Sequence, residues 1–147
     1  MPQQTTLTLT RSEAETVLAA RDLASRLAPG TLLILTGPLG AGKTAFVRGL
    51  AEGMGIDARQ VHSPSFTIVT EYGPAPSGRR LVHVDLYRVD REAEIAELGL
   101  TEGLQGDRVM AVEWGEKLPN RLREGAAIVQ IEDAGGEERR ITITLPA

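Results

Sequence analysis

Cysteine is absent from these 147 residues, and aromatic residues make up only 3% of them. The lack of cysteine excludes disulfides, thiolate nucleophiles and cysteine-bound metals, and it agrees with a reducing compartment. No apolar run approaches the roughly 20 residues that a membrane-spanning helix needs. The first residues lack the basic and apolar segments of a secretory signal. These absences predict a cytoplasmic protein that does not enter a membrane.

A large excess of charge of either sign is also missing. The formal net charge is −4, which argues against a strongly basic face that grips nucleic acid directly. The hydrophobic content of 41% and the charged content of 24% are ordinary for globular proteins. At this length the chain can bury about two-thirds of its unfolded surface. We therefore expect one domain over residues 1–147.

The most informative motif is Gly-Pro-Leu-Gly-Ala-Gly-Lys-Thr at residues 37–44, which fits G-x-x-x-x-G-K-[ST] at every fixed position. It follows the apolar run 31–36, so the pattern predicts a buried strand that leads into a phosphate-binding loop. In such a loop the lysine, Lys43, reaches the β- and γ-phosphates, and the hydroxyl of Thr44 binds Mg²⁺. The helix that follows adds a partial positive charge. The predicted nucleotide contacts are Gly37, Leu39, Gly40, Ala41, Gly42, Lys43, Thr44 and Ala45.

Hydrophobic periodicity predicts an α/β fold around this motif. The predicted strands cover residues 5–10, 31–36, 66–72, 81–85, 109–112, 127–131 and 140–145. Gly-rich or Pro-rich turns separate two pairs of these strands, which should form antiparallel hairpins. The predicted fold is thus a single P-loop NTPase domain with a mixed, mostly parallel sheet and flanking helices.

Two helices should flank the phosphate loop in sequence. Ser12 and Glu15 form a capping box that begins the first helix, and Pro29 with Gly30 should end it. The second helix should run from near Lys43 to about Met54. The apolar stripe predicted for the first helix is Val17, Leu18, Leu23, Ala24 and Leu27.

Two carboxylates follow predicted buried strands and are candidates for the metal and for the attacking water. Asp85 ends the strand 81–85, and Glu113 follows the strand 109–112. A nucleotide site of this class needs an acidic residue at the end of a neighbouring strand. We expect both acids to contribute, with either one able to bind Mg²⁺.

Hydroxyl groups are dense between the phosphate-loop helix and the next strand, where nucleotide switches sense the γ-phosphate. Ser63, Ser65 and Thr67 supply three hydroxyls in five residues. Trp114, the only tryptophan, directly follows Glu113. Its position predicts a role in the nucleotide site or in contact with a partner. The alternative is an ordinary core residue.

Three function classes fit these residues: an ATPase, a small-metabolite kinase and a nucleotide-gated binding module. A Ras-like GTPase is excluded because no Asn-Lys-x-Asp segment exists, and Asn120 is followed by Arg121. An ATPase is preferred to a small-metabolite kinase, which would need an arginine-bearing lid within residues 86–108. A nucleotide-gated binding module is the third class.

The chain resembles the TsaE (YjeE) family of small ATPases over roughly residues 5–145. The stretches that carry the resemblance are Gly-Pro-Leu-Gly-Ala-Gly-Lys-Thr at 37–44, Phe-Val-Arg-Gly at 46–49, Ser-Pro-Ser-Phe-Thr at 63–67, His-Val-Asp-Leu-Tyr-Arg at 83–88, Glu-Leu-Gly at 97–99 and Val-Glu-Trp at 112–114. Many families share the phosphate loop. The Asp-Leu-Tyr-Arg and Val-Glu-Trp stretches in this order are far more specific.

The resemblance implies an activity and partners that the residues alone do not establish. It implies binding of ATP and ADP with Mg²⁺, weak hydrolysis alone, and action with the TsaD and TsaB proteins. Those partners transfer threonylcarbamoyl to the tRNA adenosine beside the anticodon. The acidic chain would therefore reach tRNA indirectly, through the complex.

The resemblance also assigns roles to residues. It makes Asp85 and Glu113 the essential acids, with Glu113 nearer the metal, and residues 63–67 the switch loop. It places Ser12 near the base and gives Trp114 a functional role. One departure is Ser65-Phe66, where many relatives carry Thr-Tyr, so a ring hydroxyl is missing there.

Overall fold

A seven-stranded mixed sheet forms the centre of the structure, a computed structural model that describes residues 3–38, 40–61 and 68–146. The strand order is β1-β7-β6-β2-β5-β4-β3. The strands are β1 (Gln4–Thr10), β2 (Leu32–Thr36), β3 (Val69–Tyr72), β4 (Arg80–Asp85), β5 (Arg108–Glu113), β6 (Ala127–Gly135) and β7 (Glu138–Leu145).

The centre of the sheet is parallel and its two flanks are antiparallel. β2 pairs in parallel with β5 and β6, and β5 pairs in parallel with β4. β3–β4, β6–β7 and β1–β7 are antiparallel. The mixed sheet and both predicted hairpins are therefore confirmed. The four parallel strands direct their carboxyl ends to one edge, where nucleotides bind in open α/β sheets.

Two helices, α1 (Glu13–Ala24) and α2 (Lys43–Gly53), cover one face of the sheet. Phe46 and Leu50 of α2 are buried, with Leu33 and Leu35 of β2, in one apolar cluster. α1 and α2 pack against each other through glycine. A Cβ on Gly49 would lie 2.3 Å from the Val17 carbonyl oxygen.

The other face carries shorter elements, α3 (Glu92–Ala96) and α4 (Asn120–Arg123). Val89, Ile95 and Leu100 are buried against this face together with Val82 and Val84 of β4. Within the described ranges, no helix is long and apolar enough to cross a membrane.

The first helix differs from its prediction in two details. It ends at Ala24, five residues before Pro29, and Ser25 occupies its C-cap. Leu18, predicted to face inward, is 57% exposed, whereas Thr16 and Ala20 are buried. Where α2 approaches most closely, α1 presents the small residues Ala20 and Ala24, next to Gly49 and Gly53 of α2.

Candidate functional site

The phosphate loop joins β2 to α2 and uses glycine where its backbone requires it. Gly40 and Gly42 have φ angles of 78° and 106°, in the left-handed region that glycine adopts readily. Gly37 touches the neighbouring strand, since a Cβ there would lie 2.6 Å from the carbonyl oxygen of Ile131. A side chain at these positions would strain or fill the loop. Leu39, another predicted contact, lies outside the described residues.

Lys43 begins α2 and is only 5% exposed. Its Nζ donates to the carbonyl oxygen of Gly37 at 2.8 Å and lies 4.1 Å from the centroid of the Trp114 ring. Burial lowers the pKa of Lys43, and the carboxylates of Glu113, Asp85 and Glu116 act in the opposite direction. A partly desolvated ammonium interacts more strongly with an anion than one in water does.

The first turn of α2 completes the surface of the phosphate loop that would face a ligand. Ala41 and Ala45 are buried, whereas Thr44 is only partly covered in the first turn. The unpaired N–H groups of an 11-residue helix and a lysine converge here. The combination fits the phosphates of a nucleotide.

Asp85 and Glu113 are Cα partners in the parallel register of β4 and β5. The register brings the two predicted acids side by side at the carboxyl edge of the sheet. The Oδ1 atom of Asp85 accepts from the N–H of Tyr87 at 3.0 Å.

Glu113 is held by a histidine that the sequence did not assign to the site. His83 Nε2 and Glu113 Oε2 share a hydrogen bond of 2.5 Å, and both side chains are buried. His83 Nδ1 is buried without a hydrogen-bond partner in the described part of the chain. The contact could not be read from spacing because it depends on the β4–β5 register.

Trp114 has a φ angle of 62°, the one positive value at a non-glycine position among the described residues. A left-handed backbone at such a residue costs about 1–2 kcal/mol, and strain of this kind clusters at functional sites. The ring lies next to the Lys43 ammonium and to Tyr87, whose ring centroid is 5.2 Å away. The functional role of Trp114 stays a prediction.

Lys117 ties together the loops that follow β4 and β5. Its Nζ donates to the carbonyl oxygens of Leu86, Tyr87 and Val89 at 3.0, 2.9 and 3.0 Å. The residue lies in a 3-10 turn directly after Trp114. The segments that carry Asp85 and Trp114 are therefore fastened to each other.

The side chains whose oxygen atoms suit Mg²⁺ stand singly and do not form a cluster of three ligands among the described residues. Across residues 3–38, 40–61 and 68–146, no three histidine or carboxylate side chains cluster to hold a metal. Mg²⁺ commonly binds through one or two protein oxygens together with substrate phosphates. Thr44, Asp85 and Glu113 fit that mode.

The remaining predicted residues divide into two groups. Ser63, Ser65 and Thr67 of the predicted switch loop lie outside the described residues. Ser12 caps α1, where its Oγ accepts from the N–H of Glu15 at 3.2 Å. Thr16, one turn later, approaches the phosphate loop, since a Cβ on Gly42 would lie 3.9 Å from Thr16 Cγ2.

Comparison with known proteins identifies one family. The family described as "Threonylcarbamoyl adenosine biosynthesis protein TsaE" matches residues 10–141 of this chain. That range includes the phosphate loop, both acids and Trp114.

Similar proteins carry the same description. The chain is 44% identical to the tRNA threonylcarbamoyladenosine biosynthesis protein TsaE of Bacillus subtilis, over 88% of this chain and 79% of that protein. The protein of the same name from Treponema pallidum is 33% identical, over 92% and 97%. The crystal structure of Bacillus subtilis YdiB superposes with a TM-score of 0.74 at 33% identity, and covers all of this chain and 89% of that one.

Proposed function

This chain belongs to the TsaE family, which acts in tRNA threonylcarbamoyladenosine biosynthesis, and we propose that it is a Mg²⁺-dependent ATPase that supports this modification with the TsaD and TsaB proteins. Its site would work in the cytoplasm and reach tRNA through those partners. One observation carries the proposal: a buried lysine in a glycine cradle faces two strand-end carboxylates and a strained tryptophan.

The residues of the site divide the work of hydrolysis among them. The loop amides and Lys43 bind the phosphates and offset the negative charge that develops as water attacks the γ-phosphate in line. Asp85 or Glu113 orients the attacking water. Magnesium, held by Thr44 and these acids, would supply further positive charge beside the phosphates.

Two contacts suit the site to control by partners. Lys43 is engaged by the Gly37 carbonyl and the Trp114 ring, so a phosphate that binds here competes with those contacts for the ammonium. The segment 63–67, which would sense the γ-phosphate, follows α2 in the chain. We expect slow turnover alone and faster turnover once TsaD and TsaB act on these segments.

The test is ATP hydrolysis by the purified protein alone, then with TsaB, TsaD and tRNA. We expect low activity alone and clear stimulation by the partners. Lys43→Ala should abolish both, because productive nucleotide binding is lost. An unstimulated rate with nucleotide still bound would contradict the proposal. ADP release dependent on a small-molecule acceptor would instead indicate a kinase.

A further inference from the structure

An arginine far from the phosphate loop in sequence lies against it in the fold. Arg139 belongs to β7, where Thr10 of β1 and Asp133 of β6 are its Cα partners. Its side chain is 19% exposed, and Asp133 Oδ1 lies 3.5 Å from its Nη1. The cation is therefore largely buried, and no motif in the sequence singles it out.

The guanidinium bridges the phosphate loop and the β6–β7 turn. Nε donates to the carbonyl oxygen of Ala41 at 3.1 Å, and Nη2 lies 3.5 Å from that of Gly40. Nη1 donates to the carbonyl oxygens of Gly136 and Glu138, each at 2.8 Å. One planar group thus anchors the loop to a hairpin that the sheet holds rigidly.

This anchor fixes the direction of the loop amides. In a trans peptide the C=O and the next N–H point in opposite directions. Because Arg139 holds the Ala41 carbonyl, the N–H of Gly42 must point to the opposite side of the loop. A phosphate loop binds through such amides. Gly37 is braced on the same hairpin, against the Ile131 carbonyl oxygen.

We propose that Arg139 is a positioning residue for phosphate binding, which holds the Ala41–Gly42 peptide oriented before the nucleotide arrives. The proposal rests on the proposed function only in that the loop binds a nucleoside triphosphate. Arg139 acts from behind the loop and through its backbone. Removal of the Arg139 side chain should weaken the binding of every ligand that presents phosphates. The fold-change in affinity should be the same for ligands with and without adenine.

The test compares Arg139→Gln with Arg140→Gln. Arg140 is the matched control, because its exposed guanidinium pairs only at 3.5 Å with Glu132 among the described contacts. Dissociation constants for Mg-ATP and for tripolyphosphate are measured by calorimetry. Loss of one or two hydrogen bonds predicts that Arg139→Gln binds both ligands about tenfold more weakly. The kcat at saturating ATP should stay within about threefold, and Arg140→Gln should match the wild type.

Amide hydrogen exchange without nucleotide gives a readout independent of any activity. Exchange in residues 40–44 should be faster in Arg139→Gln, while β2 and β5 keep their wild-type protection. If the proposed ATPase fails, exchange and tripolyphosphate binding still test the anchor.

Wild-type exchange in residues 40–44, or wild-type affinity for both ligands, would overturn the proposal. A loss of affinity for ATP but not for tripolyphosphate would also overturn it, because the defect would then lie in contacts to the nucleoside and not in contacts to the phosphates. If Arg139→Gln does not fold, Arg139→Lys replaces it, because lysine keeps the charge but lacks the forked guanidinium that reaches the Ala41 carbonyl and the Gly136 carbonyl together. Wild-type exchange and affinity in Arg139→Lys would then overturn it.

Discussion

At the residue scale, Glu113 combines burial with a fixed orientation. His83 is hydrogen-bonded to one of its oxygens at 2.5 Å, and Asp85 is its neighbour on the adjacent strand. We expect Glu113→Gln to lower ATP turnover by about 100-fold or more, because general-base and charge contributions of a carboxylate are of that order. The amide keeps the size and an acceptor for His83, so unfolding by urea should shift little.

The matched control is Glu116→Gln. Glu116 is an exposed acid three residues further on and also acts on Lys43. Its amide variant should keep turnover near the wild-type rate. Wild-type turnover in Glu113→Gln would remove Glu113 from the proposed machinery, whatever the control shows.

The single tryptophan offers an optical measure of the lysine next to it. Trp114 has the Lys43 ammonium 4.1 Å from its ring centroid. Nucleotide binding should draw the ammonium toward the phosphates and change the charge over the ring. We therefore expect ATP to change tryptophan emission, as a titration in a fluorimeter would show.

Lys43→Met provides the control for this signal. Its emission without ATP should already differ from that of the wild type, and ATP should leave it unchanged. If calorimetry detects ATP binding to the wild type without any change in emission, Lys43 does not leave the ring.

At the element scale, local features were predictable from the sequence and cross-strand contacts were not. The phosphate loop, both hairpins and the buried strand before Glu113 follow from motif spacing and hydrophobic periodicity. The contacts made by His83 and Arg139 join residues 30 and 98 positions apart. They depend on strand register and strand order, which one sequence does not specify. Leu18 was wrongly predicted to face inward. Helical periodicity of apolar residues does not show that the neighbouring helix packs on Thr16 and Ala20 instead.

The close packing of α1 on α2 leads to a stability prediction. A Cβ on Gly49 would lie 2.3 Å from the Val17 carbonyl oxygen and 2.6 Å from Ala20 Cβ. Gly49→Ala should therefore lower the free energy of unfolding by about 1–3 kcal/mol through overpacking, although alanine is the better helix former. Urea denaturation measures the change.

Leu18→Ala on the exposed side of α1 is the comparison. Leu18 is 57% exposed, so its truncation should cost under about 1 kcal/mol. A Gly49→Ala protein as stable as the wild type would mean that α1 can move away from α2 at little cost.

At the scale of the whole molecule, ligand binding should stabilise the fold by mass action. Mg-ATP at about 100 times its dissociation constant contributes about 2.7 kcal/mol. In a chain of this size that raises Tm by roughly 5–10 °C. Thermal unfolding followed by circular dichroism tests this, with Lys43→Ala expected to show no rise. An equal rise in that variant would mean that the ligand binds elsewhere.

The strand order also has a consequence for synthesis on the ribosome. Among the described strands, β1 pairs with β7, which follows all the others in the chain, and the phosphate loop is braced by Ile131 and Arg139. The emerging chain therefore contains the loop sequence long before it contains the hairpin that supports the loop. Nucleotide capture should begin only after β6 and β7 have been synthesised. Bound ATP would then mark a chain that already contains the β6–β7 hairpin, and nascent fragments that stop before β6 would not compete for nucleotide.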